Sequence, residues 1–369
     1  MTVFGLSKRQ SSSLIVMVVI ATLAWGLVGF VLICLMQLVS MQGFAKESLH
    51  KHGIAEIQAS RLGGAITILG GVLLLAILTS LGIIGLGEGP LNIDWFAWIA
   101  VIGCVALGLV EDFRNNSLSP RVRLGAKAII WGFVLWQWPM LVPSSIGAPV
   151  IDQLLSIPAL AFLLCLVFCV GFINAVNMAD GANGLVASIV VMANIVFYKE
   201  LGGVGFVTVV TVFSVFLIFN VISGSLFLGD AGAYGAAACL LITSLFCYAE
   251  GYASLSFLAS LLCYPCLDLL ISITRRLVKR ISITMPDNEH LHNRIHYQYR
   301  KVFDSHNMAN SAAGLTVAGA SSGVVLCIYL VDWLPITSDQ WSMVFVAQCV
   351  LYGVVYYLTG KPASEREAN

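Results

Sequence analysis

The chain has 369 residues, 59% hydrophobic and only 10% charged, with a mean hydropathy of +0.92. Soluble domains carry about a quarter charged residues, so a soluble protein is excluded. The charges sum to zero, and no basic face exceeds what membrane topology requires, which excludes nucleic acid as a partner.

Taken in chain order, apolar runs of helical length fall at about 14–39, 62–86, 95–110, 122–142, 157–176, 185–199, 204–224, 232–249, 254–273, 309–331 and 341–359. A helix needs about 20 apolar residues to cross a bilayer. The runs predict an all-α, polytopic membrane bundle of about 11 transmembrane helices in one domain, 1–369, with no internal repeat. The third and sixth runs are the shortest. The runs lack the alternation of an outer-membrane barrel. The first is too long for a signal-peptide core and reads as a retained span. The ten cysteines lie in or beside these runs, and Cys263 and Cys266, although spaced as CxxC, read as packing residues.

Between the runs lie polar islands. Those at 41–61, 111–127, 174–184, 229–232 and 274–308 are separated by pairs of spans and so share one membrane face. With the N-terminus outside, 16 of the 19 Lys and Arg fall on that inner face, and only Lys8, Arg9 and Lys199 fall outside. The positive-inside rule makes this face cytoplasmic, with the N-terminus periplasmic and the C-terminus cytoplasmic. The expected location is a bacterial inner membrane, with a site assembled from cytoplasmic loops.

Each island has two readings. Glu111 and Asp112 end a span and precede Arg114, Arg121 and Arg123. They are either charge balance at the membrane edge or a carboxylate pair for Mg²⁺ or proton abstraction, with cations for phosphate. Asn174 and Asn177 sit three apart on one helix face, followed by Asp180, Gly181, Asn183 and Gly184. A helix–helix turn explains the glycines, but not two carboxamides beside a carboxylate. Asp230, between glycines, suits a helix cap as well as a metal. His290 and His292 lack soft neighbours, so phosphate contact or proton transfer is a better reading than zinc. Together the islands suit a magnesium-dependent reaction between phosphates.

Arg61-Leu62-Gly63-Gly64, Glu111-Asp112 with Leu118-Ser119, NAVNMADGANGL (174–185), FLGDAG (227–232) and PDNEHLH (286–292) occur in that order. The chain thereby resembles, from about Leu49 to Ile295, the polyprenyl-phosphate N-acetylhexosamine-1-phosphate transferases of glycosyltransferase family 4. The resemblance implies transfer of a sugar 1-phosphate from a UDP-sugar to undecaprenyl phosphate, with release of UMP. It implies Mg²⁺, with Mn²⁺ as an alternative, a membrane-lipid environment, and leaves a homodimer open. It implies a start to a surface glycan such as O-antigen, and GlcNAc 1-phosphate as an example of the group moved.

Carried over by motif, Glu111, Asp112, Asp230, His290 and His292 fall on catalytic positions. Asp230, Asn177 and Asp180 fall on metal positions. Arg61, Arg121, Arg123, Lys127, Asn174, Asn177, Asp180, Asn183 and Phe227 fall on substrate positions, with Phe227 placed to stack on uracil. Departures are Glu111 and Asn183 in place of Asp, Ser223-Gly224 in place of Pro-Ala, Ala233 in place of Ser, and Asn293 in place of His. They point away from the peptidoglycan branch, whose His motif is a run of consecutive histidines. Two alternatives stand beside this reading: a secondary transporter, and a non-catalytic relative that binds nucleotide-sugar or lipid phosphate.

Overall fold

A computed structural model describes residues 8–42, 59–83, 95–114, 118–282 and 288–360. Lys46, Lys51, Lys361, Arg366, most of the 41–61 island, residues 115–117 and the Pro286-Asp287 pair lie outside the described residues. The described chain is helical: α1 (Lys8–Ser40), α2 (Gly63–Ser80), α3 (Trp95–Arg114), α4 (Pro120–Gln137), α5 (Pro149–Leu155), α6 (Pro158–Ala179), α7 (Leu185–Leu201), α8 (Val204–Ser223), α9 (Gly229–Ala249), α10 (Leu255–Leu261), α11 (Cys263–Val278), α12 (Leu291–Tyr299), α13 (His306–Ala318), α14 (Val324–Leu330) and α15 (Trp341–Thr359).

Each of the eleven apolar runs contains a helix among its described residues, as expected of a polytopic helical membrane protein. Among the described residues, seven helices are long and apolar enough to cross a membrane, and up to eight if α10 and α11 together form one span. Of the rest, α3 carries Glu111, Asp112 and Arg114, α4 carries Arg121, Arg123 and Lys127, and α7 has 17 residues.

Two runs that read as continuous are interrupted. The run at 254–273 bends by 77° between α10 and α11. Pro265 has no N–H to offer the Leu261 carbonyl one turn back, which is where a helix breaks. That carbonyl instead accepts the Ser322 hydroxyl at 2.6 Å. Ser322 lies in a π-helical turn, Gly319–Gly323, which joins α13 to α14 within one span.

The centre of the bundle is α9, 78% buried, whereas α15 is 11% buried and lies outermost. The sequence of α9 begins GDAGAYGAAA, and small residues let helix backbones approach closely where lipid gives no hydrophobic drive. A Cβ on Gly64 would fall 2.2 Å from Gly232 Cα, and one on Gly108 would fall 2.4 Å from the Ala231 nitrogen. So α2 and α3 both cross the first turn of α9 backbone to backbone. This brings residues 61, 112 and 230 together.

Candidate active site

The site starts from a helix-end problem. The first N–H groups of a helix have no partner within it. For α2 the partners come from the strand-like stretch before α9. Ser60 pairs in parallel with Leu226, and the Gly63 and Gly64 amides donate to the Phe227 and Leu228 carbonyls at 3.0 and 2.8 Å. The Arg61-Leu62-Gly63-Gly64 and FLGDAG motifs are thus two halves of one joint.

For α9 the partner is Asp112. Its two carboxylate oxygens accept the Asp230 and Ala231 amides, each at 2.9 Å. Gly229 turns the chain there with φ +72°, and a Cβ at that position would fall 2.0 Å from the Arg61 carbonyl oxygen. Arg61, buried at 4% exposure, closes the cluster. Its Nη2 donates to Asp230 Oδ2 at 3.2 Å, and its Nε lies 3.5 Å from Asp112 Oδ1. Asp112 therefore caps α9, while Asp230, in the same turn, pairs with Arg61 and keeps an 11% exposed side chain.

Glu111 has another task. One oxygen accepts the Leu118 amide at 2.9 Å and the other lies 3.6 Å from Arg123 Nη1, so it fastens the α3–α4 turn. Ser119 caps α4 with Pro120 at its first position. Arg121 is exposed on α4, whereas Lys127 is 1% exposed. The Lys127 ammonium donates to Asn174 Oδ1 at 2.7 Å and lies 3.8 Å from the Tyr234 ring centroid. It is within Coulomb range of Asp230 and Glu111. Asn177 lies one turn beyond Asn174, and Asp180 ends α6.

The loop after α6 forms the joint to the histidines. A Cβ on Gly181 would lie 2.4 Å from His292 Nε2, so only glycine permits this approach. The rings of His290 and His292 are parallel, 5.5 Å apart. His290 Nδ1 pairs with Asp268 at 2.6 Å, and His292 Nδ1 with the Tyr264 hydroxyl at 2.8 Å. Below them, Glu289 holds Arg294 at 2.7 Å and also pairs with Lys279 and Arg275. Burial alone would raise the Glu289 carboxyl, but these three cations hold it below its ordinary range. An apolar cavity of about 150 Å³ lies beside the pair, walled by Tyr264, Leu267, Leu291, Ile295 and Tyr352.

The structure thus gathers Arg61, Asp112, Asp230, Lys127 and Asn174 into one cluster, and brings His290 and His292 together against Gly181 in the loop after α6. Asn183 stands apart from both. Its amide donates to Asn307 Oδ1 at 2.8 Å and to Ser311 Oγ at 3.4 Å, and its own oxygen accepts from Asn220 at 3.5 Å. It locks α8 to α13, a task an acceptor-only Asp would perform less well. Phe227 is half-buried beside the joint. The motifs did not mark Asp268, Tyr264, Tyr352 or Tyr234. For Asp268 a signal existed: a lone carboxylate inside an apolar run is costly unless it has a use.

The family model for glycosyl transferase family 4 matches residues 95–248, which run from α3 to the end of α9. That part of the chain is similar to that family. Among curated relatives, a probable undecaprenyl-phosphate N-acetylglucosaminyl 1-phosphate transferase of Bacillus subtilis is 23% identical over 202 residues, 52% of this chain and 55% of that protein. A decaprenyl-phosphate N-acetylglucosaminephosphotransferase of Mycobacterium leprae is 27% identical over 269 residues, 64% of this chain and 66% of that protein. A phospho-N-acetylmuramoyl-pentapeptide-transferase of Clostridium perfringens is 23% identical over 158 residues, covering 39% and 49%. The chain spans about half to two thirds of the length of these relatives.

Proposed function

We propose that this protein belongs to glycosyl transferase family 4 and transfers an N-acetylhexosamine 1-phosphate, such as GlcNAc 1-phosphate, from a UDP-sugar to undecaprenyl phosphate at the cytoplasmic face of a bacterial inner membrane. A lipid phosphate oxygen attacks the β-phosphorus of the UDP-sugar. The bond from that phosphorus to the bridging oxygen breaks, and its electron pair leaves on UMP. The product is a lipid diphosphate carrying the sugar, the start of a surface glycan such as O-antigen.

One observation carries this reading. Lys127 is buried, yet its hydrogen bond goes to a neutral amide, and no carboxylate lies within ion-pair distance among the described residues. A buried ammonium needs compensating charge. The phosphates of a nucleotide-sugar supply it, at the mouth where Asp230 and Arg61 also meet. Arg123 adds a second, partly exposed cation, and the half-buried Phe227 offers an aromatic face to a base. The apolar cavity beside the histidines suits an isoprenoid.

The donor set fits magnesium of the substrate-borne kind, which needs only one or two carboxylates with phosphate and water completing the shell. Among the described residues, no three His, Cys, Asp or Glu gather at one point. Asp230 would hold the ion, with Asn177 and Asp180 from the end of α6 as further oxygen donors. Bound there, magnesium would neutralise charge on the diphosphate. The residues of the chain hold the two phosphates in register, and His290 and His292 contact them or carry the proton of the lipid phosphate.

The transporter alternative needs polar groups near mid-membrane, whereas Asp112, Asp180 and Asp230 lie at helix ends. The departures at Glu111 and Asn183, which prompt the non-catalytic alternative, both fall on groups with structural bonds. The test is radiolabelled UMP exchange into a panel of UDP-sugars in detergent, with magnesium and undecaprenyl phosphate. Magnesium-dependent exchange with one sugar is expected; no exchange with any sugar overturns the reading.

A further inference from the structure

The two histidines are held in different ways, and the difference lies in groups that no motif marks. Asp268, on α11, is 2% exposed. Its Oδ1 accepts the Tyr352 hydroxyl at 2.7 Å and the Leu291 amide at 3.1 Å. Its Oδ2 lies 2.6 Å from His290 Nδ1. A carboxylate only accepts, so Nδ1 of His290 carries a hydrogen and the neutral ring keeps its lone pair on Nε2. His292 has a hydroxyl at the same ring position. The Tyr264 oxygen accepts the His292 backbone amide at 3.3 Å and lies 2.8 Å from Nδ1, where a hydroxyl can donate or accept. The hydroxyl therefore does not fix the His292 tautomer, whereas the carboxylate fixes that of His290. Of the two stacked rings, His290 is thus the one whose Nε2 is held ready to accept a proton.

We propose that Asp268, oriented by Tyr352, is a positioning residue for the transfer reaction. It holds His290 as the Nδ1–H form, leaves Nε2 for the substrate phosphates, and supports the positive charge that arises when Nε2 takes a proton. Tyr352 belongs to α15, so this outermost span completes the surroundings of the pair. A carboxylate bound to the far nitrogen of a histidine selects its tautomer and stabilises its cation without being protonated itself. The inference rests on the proposed transfer, because it assigns His290 a part in it. The competing account is that Asp268 only joins α11 to the first turn of α12 through Leu291.

Kinetics of the full chain in detergent separate the two. Asp268→Asn is expected to lower kcat by about 100-fold, with KM for the UDP-sugar changed by less than about threefold. Tyr352→Phe is expected to lower kcat several-fold. The deciding measurement is the pair with His290→Gln: Asp268→Asn added to it should cause no further loss, because both changes remove one function. Multiplying losses, or an unchanged kcat, would overturn the proposal. If Asp268→Asn does not yield monodisperse protein, Tyr352→Phe enters the same cycle with His290→Gln. Nitrogen-15 NMR of histidine-labelled protein gives a readout that needs no turnover. The His290 resonance, identified by its loss in His290→Gln, should report Nδ1–H in the wild type and change in Tyr352→Phe. A wild type with no exchange but the Nδ1–H signature would overturn the transfer reading and leave the positioning intact. Normal exchange with an Nε2–H signature would overturn the positioning alone.

Discussion

Asp112 and Glu111 are adjacent in sequence, and the structure gives them different work. Both oxygens of Asp112 receive backbone amides at the head of α9. In Asp112→Asn one of those oxygens becomes an NH₂ group facing an N–H, which leaves a buried donor without an acceptor and costs about 1–3 kcal/mol. The variant should melt lower in detergent and lose exchange activity, whereas Glu111→Gln should cost less in both measurements, because it keeps an acceptor for Leu118. Equal losses would return the pair to an undifferentiated role at the membrane edge. The basic residues of α4 divide in the same way. Lys127→Gln should raise KM for the UDP-sugar by about tenfold, the loss of roughly one charge-assisted hydrogen bond to phosphate. Arg121→Gln, at an exposed position, should leave KM unchanged. A parallel rise in both would mean that the buried ammonium has no special relation to the substrate.

At the scale of elements, the reactive end depends on how closely α2 and α3 press on the first turn of α9. Gly108→Ala would drive a methyl group into the Asp230–Ala231 backbone. Overpacking costs about 1–3 kcal/mol, and here the displaced part is the turn that carries Asp230. A lower melting temperature with a larger loss of kcat is expected; Gly125→Ala, which has open space at Cβ, is the control and should be silent. Much of this level was legible in the sequence. Continuous apolar runs give helices because lipid leaves the backbone no other partner, and the motifs gave Arg61, Asp112, Asp230 and Lys127. What stayed hidden was the use of each group. Asp230 read as well for a cap, but the cap of α9 is Asp112, 118 positions earlier. Asn183 read as a substrate contact, and nothing in the sequence marked its bonds to Asn220, Asn307 and Ser311. Asp268 looked like one charge in a span, because its partners come from α12 and α15. Local pattern reports that a polar group is present; contacts between distant segments decide what it does.

For the whole molecule, the distribution of Lys and Arg gives a strong orientation. With sixteen on one face and three on the other, the end that carries Asp230 and the histidines should face the cytoplasm. Lys199 marks the other face, where it pairs with Asp332 at 3.3 Å at the far end of α7. A periplasm-active reporter fused after Asn369 should be silent, and one placed after Asp332 should be active; the reverse pattern would invert the topology. The outermost helix has a further consequence, in time. Arg294 of α12 donates to the carbonyls of Tyr356 and Gly360, and Asp268 waits for the Tyr352 hydroxyl. These acceptors and donors are translated after every other described helix. From His290 to Gly360 there are 70 positions, which take about 4–14 s at roughly 5–20 residues per second. For that interval the histidine pair lacks the contacts that α15 supplies. If the proposed transfer holds, activity should begin only after α15 has been made and has docked, and a ribosome-bound chain stalled before Tyr352 should be inactive in the exchange assay.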